Sequence, residues 1–278
     1  MVRWLKRSYI YLIFAFLYLP IAVLMVYSLN DARSRGMWGG FTLRWYVELF
    51  QDRTIMNSLY ATLIIGVSSA LIATVIGTMA AIGIHNTRGV PKKLIMNVTY
   101  LPVLNPDIVT AISLMLLFVF SRMRFGYITL LLSHITFNVP YVILSVLPKL
   151  RQLNKHLYEA ALDLGCTPLQ ALWKVIIPEI MPGIITGLLL AFTLSIDDFV
   201  VSFFTTGSGV STLSITVYSM ARRGINPKIN ALSTIMFTFV LALLIIVNVR
   251  QAREERKERN GRRVPKKDSP YDPRFGSA

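Results

Sequence analysis

Residues 158–182 read "YEAALDLGCTPLQALWKVIIPEIMP". The stretch lies between long apolar runs, yet it carries Glu159, Asp163, Lys174 and Glu179. It is too polar to cross a bilayer and too regularly punctuated to be a slack loop. Asn154 can cap a first short helix running to Leu164, and Gly165 supplies the left-handed residue that ends it. Thr167 restarts the chain as N-cap, with Pro168 at the first helical position and Gln170 two further on, a capping box. Leu169, Leu172, Trp173 and Ile176 then recur at i, i+3, i+4 and i+7 as one apolar face, and Pro178 and Pro182 close the unit. The residues predict a helical hairpin at a membrane surface, exposing the small pair Ala160–Ala161 beside Glu159. An amphipathic helix anchored on lipid is the other reading of the same pattern. An anchor, however, needs no fixed angle between two helices, and a capped turn imposes one.

Working outward, the chain of 278 residues is 54% hydrophobic and only 15% charged, where soluble domains carry about a quarter charged residues. Apolar runs lie near 9–29, 58–84, 94–120, 127–148, 182–204 and 230–249. Each reaches the roughly 20 residues that a bilayer core requires of a helix. None alternates over about ten residues as barrel strands do. The expectation is an all-α polytopic membrane protein with six transmembrane helices. The first run follows Arg3, Lys6 and Arg7 as a signal peptide would, but it is long for one and ends in "SLNDARSRG" without a small-residue cleavage site, so it reads as a retained span. Three regions follow: 1–57 with the first span and its loop, 58–249 with a five-helix core, and 250–278, a basic tail expected to extend the last helix briefly and then lose order.

Several functions are excluded. The single Cys166 rules out a disulfide framework and a cysteine metal site. No Gly is followed by Lys, so the chain has no P-loop for a nucleotide. Energy must come from a gradient or from a partner. The formal net charge is +15. If the N-terminus is cytoplasmic, three Lys and Arg precede the first span, three lie in 85–93, four in 149–181 and ten from Arg250 onward, twenty inside against nine outside. That bias places both termini in the cytoplasm. Attraction to anionic lipid accounts for the basic tail without a nucleic acid.

The hairpin carries a resemblance. "EAALDLGCTPLQALWKVIIP" resembles the EAA motif of ABC importer permeases, in which Glu-Ala-Ala is followed by a Gly and then by Ile-x-Leu-Pro. Glu159, Ala160, Ala161, Gly165 and Pro178 match, while Val175 and Ile177 stand where Ile and Leu are usual. "WYVELF", "NPDIVTAISLMLLF", "LSHITFNVPYV", "AFTLSIDDFVVSFFTTG" and "INPKINALSTI" look like the spermidine/putrescine (polyamine) permeases and cover most of the chain from Trp45 to Ile235. The resemblance implies the type I ABC importer permease fold, with the hairpin as a cytoplasmic coupling helix docking on an ATPase. It implies a transport subunit without catalytic residues, cofactor or metal of its own. It also implies a heterodimer with a second permease subunit, two ATPase subunits that use the ATP, and a periplasmic or lipid-anchored substrate-binding protein. The expected location is the bacterial cytoplasmic (inner) membrane. The outer loop "GSGVSTLSITVYSMARRGINPKIN" would help receive the binding protein.

Asp107, Asp197 and Asp198 lie within the apolar runs, with no Lys or Arg deep in any run to pair with them. A carboxylate at such depth costs at least about 2.5–3.5 kcal/mol, and such residues usually line a wet path or meet a partner. Counted along straight helices, Asp107 stands roughly 20 Å and Asp197 roughly 22 Å above the inner face, and His134 about 10 Å below the outer one. Pro102 and Asn105–Pro106 break the third run just before Asp107, as irregular backbone lining a cavity would. Such a cavity suits a slender polycation, with ammonium groups on carboxylates and methylenes on Phe, Tyr or Met. Asp107, Asp197, Asp198 and His134 are the candidate path residues. His134 serves equally as a helix–helix hydrogen bond, and Asp198 as a cap at a helix break. The reading is a polyamine-importing permease. A permease for another small cationic or amino-containing solute, or a gradient-driven cation or proton exchanger using the same acids, are the alternatives.

Overall fold

The computed structural model describes residues 2–32, 36–154, 156–224 and 227–261. The part of the tail expected to lose order lies outside the described residues from 262 onward. The elements are helical: α1 (Val2–Ser28), α2 (Arg44–Gln51), α3 (Arg53–Asn86), α4 (Val90–Leu104), α5 (Asp107–Phe120), α6 (Tyr127–Gln152), α7 (His156–Asp163), α8 (Pro168–Ala171), a π-helical turn (Leu172–Ile176), α9 (Ile177–Asp197), α10 (Val200–Thr205), α11 (Leu213–Arg223) and α12 (Pro227–Gly261). The chain falls into two compact units, one of residues 1–45 with 230–278, the other of 46–229.

Among the described residues the spans number four or five, where six were expected. Tyr9–Ser28, Arg53–Asn86, Tyr127–Gln152 and Pro168–Asp197 are each long and apolar enough to cross a membrane, and α4 with α5 would make a fifth. The sixth expected run appears as the shorter apolar stretch Pro227–Ala242 of α12. The third run is not a straight rod: α4 and α5 meet at 107°. Pro106 has no amide hydrogen to continue the helix, and its ring drives Asn105 into extended backbone, at φ −79° and ψ 147°. A height for Asp107 counted along a continuous helix therefore does not hold.

The fifth run also differs. It was expected over 182–204, after Pro178 and Pro182 had closed the hairpin. The helix instead runs through both prolines and stops at Asp197, and α10 restarts only at Val200. Pro178 sits at the second position of α9, just beyond the π turn, where the Ile177 amide reaches back to the Leu172 carbonyl. The widened turn takes up the register at the position where the proline ring would crowd the preceding carbonyls of a regular helix.

In the larger unit α3, α6 and α9 pack against one another around Ala70, Ala73, Ala81, Val142, Val146, Ile180 and Ala191. Lipid tails are as apolar as Leu, so close packing rather than exclusion from water must hold spans together. α3 meets this need with a buried seam of small residues, Gly66, Ser69, Ala70, Ala73, Thr74, Gly77, Thr78 and Ala81, at helical spacing. Gly77 shows how tight the seam is: a Cβ there would stand 2.7 Å from Val142 Cβ. The short helix α10 lies on α5 and α6, with Val201 buried among Ala111, Leu114, Phe118 and Phe137.

In the smaller unit, Asn30 organises the turn after α1. Its amide donates to the Met37 carbonyl (2.9 Å), and its side-chain oxygen accepts from the amides of Gly39 (2.8 Å) and Ala32 (3.2 Å). The buried Trp45 indole donates to the Asn30 carbonyl (2.7 Å), and the Arg44 guanidinium lies over that ring at 4.3 Å.

Candidate functional site

Two features stand out, the hairpin at one end of α9 and a polar cluster at the other. In the hairpin, the Asn154 side chain accepts from the His156 amide (3.1 Å) and starts α7. At the far end the Gly165 amide donates to the Leu162 carbonyl (2.9 Å) and the Cys166 amide to the Ala161 carbonyl (3.1 Å). That bond pair defines a Schellman turn, and it demands the left-handed residue that Gly165 provides at φ +85°. Thr167 and Gln170 then cap α8 reciprocally, the Gln170 amide on Thr167 Oγ1 (3.4 Å) and the Thr167 amide on Gln170 Oε1 (3.1 Å).

The small pair is not exposed as a pair. Ala160 faces out, but Ala161 is only 6% exposed. Its carbonyl is taken by the turn, and α7 folds back against α8 and the π turn, so this methyl is spent inside the hairpin. The outer surface includes Glu159, bonded to His156 at 3.1 Å, together with Ala160, Leu164, Leu169 and Trp173. The last three are 85%, 65% and 62% exposed. Leu169 and Trp173 fall within the first two turns of the Pro168–Asp197 stretch, at its hairpin end.

At the other end of α9, four helices meet in a buried polar cluster. His134 of α6, 2% exposed, bonds Ser195 of α9 through Nδ1 (3.1 Å) and Ser202 of α10 through Nε2 (3.0 Å). Asn138, one turn along α6, donates to Ser195 Oγ (2.8 Å) and to Ser69 Oγ of α3 (3.5 Å), and the two serines lie 2.9 Å apart. Asp198 stands in the break between α9 and α10. Its carboxylate accepts from the amides of Val201 (3.1 Å) and Ser202 (2.7 Å) and lies 3.6 Å from His134 Nε2.

The four path candidates thus divide. His134 and Asp198 are brought together and buried. Asp107 and Asp197 are exposed, each at an end of its helix, and among the described residues neither is in an ion pair. Phe203 and Tyr218 pack against Phe199 beside the same break as tilted ring pairs, with centroids 5.4 and 4.6 Å from that of Phe199. Ser69, Asn138, Ser195 and Ser202 were not singled out from the sequence. Their signal was there: polar residues within apolar runs, with Asn138 at i+4 from His134 and Asp198 at i+3 from Ser195. No clustered metal ligands occur among the described residues.

Residues 73–259 match the family described as "Binding-protein-dependent transport system inner membrane component". The chain belongs to that family. It is accordingly an inner-membrane, multi-pass transport subunit and not a catalytic one. It is 37% identical over 259 residues to the spermidine/putrescine transport system permease protein PotC of Shigella flexneri, covering 93% of this chain and 97% of that protein. It is 38% identical over 253 residues to the putrescine transport system permease protein PotI of Escherichia coli strain K12, covering 88% and 89%. Among solved structures, a bacterial ABC transporter importing the acidic polysaccharide alginate aligns with TM-score 0.71 at 13% identity, over 89% of this chain and 94% of that one. The MetNI methionine ABC transporter aligns with TM-score 0.57 at 18% identity, over 77% and 99%. At those identities the likeness establishes an ABC importer permease fold and nothing about cargo.

Proposed function

We propose that this subunit forms part of the membrane passage of an ATP-driven polyamine importer. The observation that carries the reading is likeness along nearly the full length of both chains to permeases named for spermidine and putrescine. Exposed acids suit that cargo. Asp107 and Asp197 would meet ammonium groups, and the rings of Phe199, Phe203 and Tyr218 offer both an apolar bed for methylenes and cation–π faces. The complex would pair this chain with a second permease subunit, two ATPase subunits that bind the ATP, and a binding protein delivering cargo from outside. Both termini would be cytoplasmic.

Coupling follows from chain continuity. α9 rises about 30 Å from Ile177 to Asp197 and packs on α3 and α6. The hairpin joins α9 through the π turn without a flexible loop. A partner gripping Glu159, Ala160 and the exposed Leu164, Leu169 and Trp173 would therefore move the base of α9, and with it the core that gates the passage. Gly165 and Pro178 set the hairpin's angle, and Ala161 its internal packing.

The test is transport by the reconstituted complex. Proteoliposomes holding this chain with its partners should take up labelled spermidine and putrescine only with ATP and the binding protein. ATP-dependent uptake of a different cationic solute, with none of either polyamine, would overturn the substrate. Uptake driven by a pH gradient without ATP would overturn the mechanism.

A further inference from the structure

Asp197 and Asp198 are adjacent, of the same chemistry, and placed by the sequence in one apolar run. The structure treats them differently. We infer that they divide the work: Asp198, with His134, is a positioning residue that holds the α9–α10 break, and Asp197 is left to bind the cation. The division rests on the importer reading above for the identity of that cation.

Asp198 has little left to offer a ligand. Its side chain is 7% accessible, and each carboxylate oxygen accepts one backbone amide of α10. The bonds satisfy the second and third amides of that helix, the groups a capping carboxylate serves. His134 closes the remaining side and is itself clamped to Ser195 and Ser202, one residue on each flank of the break. A buried charge so enclosed is costly to uncover, and a passing ammonium would have to displace these bonds to reach it. The break also reaches the core, because Ser195 bonds Asn138 and Ser69 on α6 and α3.

Asp197 has the opposite environment. It is exposed, it is the last residue of α9, and among the described residues no cation pairs with it. The C-terminal end of a long helix carries partial negative charge and unsatisfied carbonyls, which add to the attraction of a carboxylate for a cation. The extended backbone of Asp198, at φ −64° and ψ 123°, is what ends α9 there and turns the two carboxylates to different surroundings.

Uptake kinetics with labelled spermidine separate the roles. Asp197→Asn should raise KM by about tenfold or more, the loss expected when one charged contact becomes neutral. Asp198→Asn should raise KM by less than about threefold, since the carboxylate it replaces faces α10 and not the cargo; with a single acceptor oxygen it keeps only one of the two amide bonds, so its effect falls on the break. Asp198→Ala and His134→Ala should instead lower the maximal rate and speed amide exchange at Val201 and Ser202, and His134→Gln should restore part of both. An Asp198→Asn variant whose KM rises as much as that of Asp197→Asn would overturn the division, as would unchanged exchange in Asp198→Ala. Should the wild-type complex transport no polyamine, the proposed substrate fails, and the exchange measurement still decides whether Asp198 holds the break.

Discussion

Ala160 and Ala161 are one peptide apart and have opposite environments, which makes them the sharpest test of the coupling surface. Ala160→Trp adds bulk to the exposed face proposed to dock the ATPase and should leave the isolated subunit as heat-stable as wild type while abolishing copurification of the ATPase. Ala161→Trp forces an indole into a filled hairpin and should lower the subunit's own thermal midpoint. A pair of variants with the same phenotype would remove the distinction. Gly165 is a residue-scale case of backbone demand. Gly165→Val places a β-branched residue at φ +85°, at a cost of roughly 1–2 kcal/mol or more. The expected outcome is loss of complex assembly, scored by copurification, at normal membrane insertion.

At the scale of elements, the contact of α3 with α6 depends on what is missing at Gly77. A Cβ there would press on Val142 at 2.7 Å, and overpacking of this kind costs about 1–3 kcal/mol. Gly77→Val should therefore lower the thermal midpoint of the purified subunit, and a compensating Val142→Ala should recover part of the loss. Independent, additive effects would mean that the two helices do not meet there. The bend between α4 and α5 and the stop of α9 at Asp197 belong to the same scale. Each is a helix end, one made by Pro106 acting on Asn105, the other by Asp198 capping the following helix.

For the whole molecule, orientation can be read from the only cysteine. Cys166 lies in the hairpin and is partly exposed. A membrane-impermeant maleimide should label it in inverted vesicles and not in intact cells, and bound ATPase should protect it. Labelling from the outside would invert the topology and remove the hairpin from the cytoplasm.

The amino-acid sequence determined by itself whatever rests on local chemistry. The helical, membrane-spanning class follows from apolar length, because an unpaired backbone cannot lie in lipid, while the six runs gave four or five candidate spans among the described residues. The hairpin's turn follows from Asn154, Gly165, Thr167, Pro168 and Gln170, because caps act within one turn of their own residue. The motif from Glu159 to Pro178 pointed to the family for the same reason: its residues are contiguous along the chain. Tertiary structure alone decided everything that depends on which face of a helix meets another. It buried Ala161 and exposed Ala160, set the angle of the break that Pro106 makes in the third run at 107°, carried the helix through Pro178 by a π turn, and separated Asp197 from Asp198. It also gathered Ser69, Asn138, His134, Ser195 and Ser202 from four helices into one cluster. Polar atoms within apolar runs must find partners where water is absent, but which partners they find depends on how distant segments pack, and no stretch of sequence carries that.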